Sequence, residues 1–145
     1  MARIEESVTI NRPIDNVFTY TTEARNWPKW HTSMPEAEQT SQGPVGVGTT
    51  FKGKSRMMGM IMGWTAKATG FEPYKRWGKV IDSGNVVFDD ELIFDTVEGG
   101  TKFTMVYDVK VGGFQKLFAS MINSSMQKQL KQDLVNLKGI LESPA

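Results

Sequence analysis

Residues 114–141, FQKLFASMINSSMQKQLKQDLVNLKGIL, decide the fold of this chain. Their apolar side chains recur every three or four positions, which is the period of one face of an α-helix. A helix of about 28 residues extends roughly 42 Å at 1.5 Å per residue, so its apolar face needs a wide partner. The face consists of Phe114, Leu117, Phe118, Met121, Ile122, Met126, Leu130, Leu134, Leu137 and Leu141. The pattern therefore predicts a long C-terminal helix that packs against a broad apolar surface.

The segments before this helix alternate apolar and polar residues, as half-buried strands do. The predicted strands are residues 3–10, 50–57, 60–71, 76–82, 86–96 and 101–111. Short turns such as Ser83-Gly84-Asn85 join them, so neighbouring strands run antiparallel. Two short helices are expected after the first strand, one that begins at Pro13 and one over residues 23–29. The predicted fold is α+β, with a curved antiparallel sheet of about six to seven strands wrapped around the C-terminal helix.

Composition bounds the function before any motif is considered. The chain has 145 residues, which predicts a single domain over residues 1–145. Lys and Arg total 17 against 16 for Asp and Glu, a balance that argues against nucleic acid as a partner. Neither an apolar run of roughly 20 residues nor a signal-peptide pattern occurs, so we expect no membrane insertion and a cytoplasmic location. With no cysteine and one histidine, His31, thiolate chemistry and most zinc sites are excluded, and we expect no metal and no organic cofactor.

A phosphate-binding pattern, G-x-x-x-x-G-K-[ST], is matched by residues 48–55, GTTFKGKS. Such a loop binds phosphate when it follows a buried strand and opens a helix. Here turn residues precede it, and Gly59 and Gly63 interrupt the segment where the helix would run. Lys54 also shares strand parity with Lys52, which points it to solvent. We therefore interpret the segment as an ordinary strand.

Five short motifs follow one another along the chain before the long terminal helix. They are residues 8–18 (VTINRPIDNVF), 27–30 (WPKW), 43–49 (GPVGVGT), 71–73 (FEP) and 99–103 (GGTKF). In this order and spacing, the chain resembles the START-like superfamily (SRPBCC, the helix-grip fold), and within it the polyketide cyclase/dehydrase-like sequences. The resemblance covers essentially the whole chain. It implies a cavity between the sheet and the C-terminal helix, and it implies little fixed catalytic chemistry.

Methionine and aromatic residues are frequent, with 9 Met, 8 Phe, 4 Trp and 3 Tyr, and such side chains form adaptable apolar walls. The predicted ligand-binding residues combine inward strand positions with the apolar face of the helix. They are Trp30, Met57, Met62, Trp64, Phe88, Asp90, Leu92, Phe103, Met105, Tyr107, Phe114, Phe118, Met121 and Ile122. A tightly curved sheet would pack these side chains into a solid core, whereas an open sheet would leave a cavity for a small hydrophobic molecule. The resemblance favours the open sheet.

Ionisable and polar residues are candidates for a role in that cavity. His31 is a candidate acid or base, since histidine changes charge near neutral pH, but no carboxylate lies near it in sequence. Asp90 shares the parity of its apolar neighbours in the strand, so it either faces the interior or is turned outward by a bulge. Glu6 has the same ambiguity. Tyr107 would pack its ring inside and offer its hydroxyl to a ligand or a neighbour.

Three functions are consistent with the sequence. The first is binding of a lipid, polyketide-like or aromatic molecule in the cavity, oriented by Tyr107, Asp90 or His31. The second is a cyclase- or dehydratase-type enzyme that uses His31 or Asp90 as acid or base in the same cavity. The third is a protein-interaction module, as in the cochaperone-like branch of the superfamily, which would need a sealed interior and a large exposed apolar patch. The first requires the fewest features, and the sequence leaves the ligand and the oligomeric state open.

Overall fold

The structure is a computed structural model that describes residues 2–57, 59–84, 86–111 and 119–143. Its elements are β1 (Ala2–Ile10), α1 (Ile14–Thr22), a 3₁₀ turn (Ala24–Asn26), α2 (Trp27–Trp30), β2 (Glu36–Gln39), β3 (Thr50–Met57), β4 (Met60–Glu72), β5 (Arg76–Asp82), β6 (Val86–Val97), β7 (Gly100–Val111) and α3 (Ala119–Glu142). Across these residues the strands form one seven-stranded antiparallel sheet with the order β1-β7-β6-β5-β4-β3-β2. The sheet and the long helix after it confirm the predicted α+β, helix-grip architecture.

Alternation of apolar side chains explains which face of the sheet is buried. Along β6, buried positions alternate with half-buried ones from Val86 to Phe94. The buried positions form the inner face, which α1, α2 and α3 cover together. The predicted bounds of β5 are reproduced, and those of β4, β6 and β7 agree to within 1 residue. The period of two is therefore sufficient to locate the central strands.

Two elements differ in detail from the prediction. The edge strand β2 has the sequence EAEQ, which offers no apolar alternation by which it could be predicted. The second helical segment is divided into the 3₁₀ turn and α2, and Pro28 occupies the first turn of α2, where no backbone donor is needed. The predicted start of the terminal helix, residues 114–118, lies outside the described residues.

Aromatic side chains from α1 and α2 fill one end of the inner face. Phe18 packs edge-on against Phe94, with ring centroids 5.0 Å apart. Trp27 stacks on Trp77 at 6.0 Å, and its indole N–H donates a hydrogen bond to the carbonyl oxygen of Thr21 at 2.8 Å. Close packing of this kind leaves little space between side chains. This end of the inner face is a solid core.

The C-terminal end of α3 is fastened to the turn between β1 and α1. Arg12 Nε donates a hydrogen bond to the carbonyl oxygen of Leu141 at 2.6 Å. Lys138 Nζ donates to the carbonyl oxygen of Thr9 at 2.7 Å. Each bond joins residues that are 129 apart in sequence. The helix is therefore fixed across the end of the first strand.

The segment that matched the phosphate-binding pattern runs into β3 and does not open a helix. A Cβ atom at Gly53 would overlap the backbone oxygen of Glu36 and the ring of Trp64. Glycine is required there because a neighbouring strand and an indole approach the backbone closely. The pattern therefore reflects packing and not phosphate binding.

Candidate functional site

A cavity of about 320 Å³ lies between the inner face of the sheet and α3. Its apolar wall consists of Met34, Met62, Trp64, Ile81, Phe88, Met126 and Leu130. Its polar lining consists of His31, Thr32, Ser33, Ser55, Arg56, Ser83, Tyr107, Ser125, Gln129 and Asp133. Thr32, Arg56 and Ser125 are exposed, so the cavity opens to solvent on their side.

Strand register brings the wall residues together. Ile81 of β5 lies directly opposite Phe88 of β6. The ring of Phe88 meets that of Tyr107 of β7 edge-on, with centroids 6.3 Å apart. Trp64 of β4 lies opposite Gly53 of β3, where the absence of a side chain leaves room for the indole. Because side chains alternate along each strand, these inward positions converge on one space.

His31 forms a buried pair with Asp133 of α3 beside the cavity. His31 Nδ1 lies 2.9 Å from Asp133 Oδ2, and the two side chains are 9% and 4% exposed. A carboxylate accepts hydrogen bonds, so Nδ1 is the donating nitrogen and Nε2 remains available. The ring of Trp30 packs on the imidazole with centroids 3.8 Å apart. The imidazole is thereby held in one orientation.

Further hydrogen bonds hold the Asp133 carboxylate in place. Its Oδ1 accepts one from the backbone N–H of Thr32 at 3.2 Å and one from Gln129 Nε2 at 2.9 Å. Burial removes water from a carboxylate, so these donors supply the hydrogen bonds that water would otherwise make. The loop after α2 and the helix α3 are therefore joined through one acidic side chain.

Asp90 faces the interior, the first of the two orientations that the sequence allowed, and it is paired with a buried lysine. Lys79 Nζ donates to Asp90 Oδ2 at 2.5 Å, and the two side chains are 6% and 2% exposed. The ammonium lies 4.4 Å from the ring centroid of Trp77 and 4.8 Å from that of Trp27, within the range of cation–π attraction. Asp90 Oδ1 is buried and has no hydrogen-bond partner among the described residues.

Tyr107 lines the cavity and is affected by both buried carboxylates. Burial raises the pKa of its phenol well above the ordinary value, and the charges of Asp90 and Asp133 raise this pKa further. The phenol is therefore protonated at neutral pH and acts as a hydrogen-bond donor.

Glu6 joins the sheet edge to α3 and does not line the cavity in the described part of the chain. Gln127 Nε2 donates to Glu6 Oε2 at 3.1 Å, and Lys131 Nζ lies 3.9 Å from Glu6 Oε1. Its carboxylate keeps partial access to solvent, with 20% of the side chain exposed.

The predicted site residues divide between the cavity and the core. Met62, Trp64, Phe88 and Tyr107 lie on the cavity wall, together with His31. Four other predicted residues are at most 1% exposed, pack in the core and are not part of the cavity lining: Trp30, Leu92, Phe103 and Met105. Asp90 is buried with Lys79 and is not part of the lining either. Phe114 and Phe118 lie outside the described residues, as do the side chains of Met57, Met121 and Ile122.

Two buried charged residues were not predicted from the sequence, although each has a recognisable signal. Asp133 stands on the apolar face of the helix, directly before Leu134. Lys79 shares the strand parity of Trp77 and Ile81. A charged residue in an apolar position indicates burial with a partner, because an unpaired charge is costly inside a protein.

Neither a candidate metal cluster nor a candidate membrane helix occurs in the described ranges. Within those ranges, no group of three or more histidine, aspartate and glutamate side chains is placed to hold a metal ion. Of the helices in the same ranges, none has both the length and the apolar character of a membrane span.

The seven-stranded sheet, the long helix and the cavity between them define a helix-grip protein, and the sequence identifies the family. The chain matches the family described as "Polyketide cyclase / dehydrase and lipid transport" over residues 1–142. It belongs to this family, in agreement with the resemblance carried by the sequence motifs. No curated protein matches the sequence.

Solved structures share the fold at low sequence identity. The protein TTHA0849 from Thermus thermophilus has a TM-score of 0.83 at 14% identity, with 97% of each chain covered. The Zhui aromatase/cyclase from Streptomyces sp. R1128 has a TM-score of 0.78 at 15% identity, covering 97% of this chain and 93% of its own. The di-domain ARO/CYC BexL from the BE-7585A biosynthetic pathway has a TM-score of 0.78 at 18% identity, covering 98% of this chain and 47% of its own. At these identities the likeness establishes the fold.

Proposed function

We propose that this chain binds a small hydrophobic molecule, of lipid, polyketide-like or aromatic type, in the cavity between the sheet and α3. The observation that carries the proposal is the cavity itself, with a volume of about 320 Å³ and a wall of methionine, aromatic and aliphatic side chains. Sites for small organic ligands have volumes of about 300–1,000 Å³ and are mostly apolar with a few polar groups. The family description, which names polyketide cyclases and lipid transport, supports the same class of ligand.

A thermal-shift panel of polycyclic aromatic ketones, sterols and fatty acids tests this proposal. A ligand present at about 100 times its Kd stabilises the folded state by about 2.7 kcal/mol, which corresponds to a rise in Tm of about 5–10 °C. We expect at least one class to produce such a rise. If no class changes the Tm, the binding proposal is wrong.

A matched pair of variants separates binding in the cavity from adsorption elsewhere. Met62→Trp places a larger side chain on the cavity wall, whereas Met60→Trp makes the same change at a position that is 66% exposed. We expect Met62→Trp to abolish the thermal shift and Met60→Trp to preserve it. The opposite pattern would place the bound molecule outside this cavity.

A second candidate function is acid–base catalysis in the same cavity, and the His31–Asp133 pair is the observation that favours it. A histidine held by a carboxylate is an arrangement suited to proton transfer. His31 Nε2 would remove a proton from the carbon next to a ligand ketone while Tyr107 donates a hydrogen bond to the ketone oxygen. The electron pair of the broken C–H bond moves onto that oxygen as an enolate, which is the reactive species for ring closure. The cyclase names of two structural neighbours agree with this reaction class.

Deuterium exchange tests this step without knowledge of the natural substrate. 1-Tetralone is incubated with the protein in D₂O, and loss of the proton signal next to the ketone is followed by NMR. We expect the protein to accelerate exchange, and His31→Gln to remove that acceleration while tetralone still raises the Tm. Exchange that is equally fast with His31→Gln would contradict a catalytic role of His31.

The interaction-module hypothesis gains no support from the described residues. Their exposed large hydrophobic side chains belong to the loop before β3, the start of β4, the turn between β4 and β5, and α3. They are Val47, Met60, Ile61, Tyr74, Val135 and Ile140. A docking surface needs such side chains in one continuous patch.

A further inference from the structure

Three polar side chains form a row across the inner face of the sheet. Lys79 of β5 lies directly opposite Asp90 of β6, and Asp90 lies directly opposite Tyr107 of β7. All three side chains point to the inner face. In a sheet, directly opposed residues are the closest neighbours between strands. We call this set the polar row.

The polar row lies at the boundary between the cavity and the solid core. Two residues further along the strands on one side, Ile81 and Phe88 line the cavity. Two residues along on the other side, Trp77, Leu92 and Met105 are at most 1% exposed. The polar row therefore lies at the inner end of the cavity, where the lining meets the core. Of its three members, Tyr107 is the one that lines the cavity in the described part of the chain.

The order of the charges in the polar row places a negative charge next to Tyr107. Asp90 stands between Lys79 and Tyr107, so the negative member of the ion pair is the neighbour of the tyrosine. Lys79 Nζ donates a hydrogen bond to Asp90 Oδ2, which fixes the orientation of the carboxylate toward Lys79. The second buried carboxylate, Asp133, also acts on the Tyr107 phenol. An anion at the inner end would therefore meet repulsion.

We propose that the polar row selects ligands whose buried end carries an uncharged hydrogen-bond acceptor, such as a ketone oxygen. Tyr107 donates the hydrogen bond to this oxygen, and the Lys79–Asp90 pair is a positioning element that acts through Tyr107. The inference rests on the proposed binding function and adds the chemistry of the inner end. A purely alkyl end would leave the Tyr107 phenol without an acceptor, and a carboxylate beside this phenol would be repelled by the charges of Asp90 and Asp133 that already act on it.

Three probes with the same ring system test this selectivity. They are 2-acetylnaphthalene, 2-ethylnaphthalene and 2-naphthoate, whose Kd values are measured by titration calorimetry. We expect the ketone to bind about tenfold more tightly than either of the others, the usual effect of one buried hydrogen bond. In Tyr107→Phe, the affinities for the ketone and the ethyl compound should become equal, with the ethyl compound unchanged.

A double variant tests the positioning role of the ion pair. Lys79→Met with Asp90→Leu removes both charges and keeps apolar groups of similar volume, a replacement that buried pairs commonly tolerate. We expect the preference for the ketone over the ethyl compound to fall severalfold although Tyr107 is present, and 2-naphthoate to bind more tightly relative to the ethyl compound. A merely structural role would change all three affinities in parallel.

The matched control makes the same replacements in an exposed cross-strand pair. Lys52 Nζ lies 3.2 Å from Glu38 Oε1, and both side chains are 61% exposed. Lys52→Met with Glu38→Leu should leave all three Kd values unchanged.

The outcomes distinguish the two proposals. If no probe binds and the wider panel causes no thermal shift, the binding function is wrong and this inference falls with it. A second outcome is that the probes bind without a preference of the wild-type protein for the ketone, or with a preference that Tyr107→Phe keeps. In either case the binding function stands, and the polar row does not select for a hydrogen-bond acceptor. If the double variant keeps the wild-type preference, Tyr107 acts alone and the positioning role is overturned.

Discussion

His31 Nδ1 lies 2.9 Å from Asp133 Oδ2, although the two residues are 102 positions apart in sequence. The pair joins the segment after α2 to the middle of α3 and places an imidazole at the side of the cavity. The His31–Asp133 pair both links these two elements and provides the group most suited to proton transfer. Unfolding measurements on variants of the pair therefore report its structural role, and activity measurements report its role in proton transfer.

Asp133→Ala is expected to lower the free energy of unfolding by about 2–3 kcal/mol, because it leaves the buried Nδ1 of His31 and the partly buried backbone N–H of Thr32 without an acceptor. Asp133→Asn keeps an acceptor oxygen and should cost less. Urea unfolding measures both changes. Asp95→Ala, at an exposed position of β6, is the control and should change the value by less than about 0.5 kcal/mol. Equal effects of Asp133→Ala and Asp95→Ala would show that the pair contributes nothing to stability.

The Lys79–Asp90 pair should behave as a strongly coupled unit. Lys79→Met or Asp90→Leu alone leaves one buried charge without its partner, which costs about 3–5 kcal/mol. The double variant removes both charges and should be close to the wild-type stability or above it. Unfolding free energies of the four proteins form a double-mutant cycle. Additive single effects, with no recovery in the double variant, would contradict this account.

Alkaline pH should destabilise the protein through Tyr107. Burial and two carboxylates raise the folded-state pKa of this phenol, so above about pH 10 the unfolded chain loses a proton that the folded protein retains. The unfolded state then binds fewer protons, and stability falls as pH rises, by up to about 1.4 kcal/mol per pH unit. This contribution is fully present below about pH 10 and is lost as the pH rises toward the folded-state pKa.

Tyr107→Phe should reduce the steepness of this loss when urea unfolding is measured between about pH 9 and 11. Tyr74→Phe is the control because Tyr74 is 49% exposed, and it should leave the pH dependence as in the wild type. The same steepness in all three proteins would show that Tyr107 does not control the alkaline transition.

Gly53→Ala should disturb both the sheet edge and the cavity wall. The added methyl group would overlap the backbone oxygen of Glu36 and the ring of Trp64, so β2 or the indole must move. We expect a loss of about 1–3 kcal/mol in unfolding free energy and weaker ligand binding. Gly63→Ala is the control, since the nearest atom to its added Cβ lies 4.0 Å away. A Gly53→Ala protein as stable as Gly63→Ala would refute the packing role of this glycine.

The sequence was sufficient to predict the fold because the central strands and the terminal helix have clear periods. Phe88 lies on the inner face, as its parity in the strand predicts, and it lines the cavity together with Met62 and Trp64. The strand β2 was missed because the short polar sequence EAEQ carries no period. Its position depends on pairing with β3, which is a tertiary contact.

The candidate site could be predicted only in part, since parity gives the direction of a side chain but not the space in front of it. Met105 and Tyr107 have the same parity on β7, yet Met105 is packed in the core and Tyr107 lines the cavity. The difference depends on what α1, α2 and α3 place against each position. Asp133 and Lys79 are not among the predicted residues because their partners are distant in sequence: Asp133 is buried beside His31, and Lys79 is buried beside Asp90.

The bonds from Arg12 to Leu141 and from Lys138 to Thr9 have a consequence for how the protein is made. β1 also pairs with β7, so the first strand finds its partners only after nearly all the described chain has been synthesised. Chains dominated by such distant contacts fold slowly. Until β7 and α3 have been synthesised, β1 lacks the partners that cover its apolar side chains, and an unpaired strand of this kind is prone to aggregation.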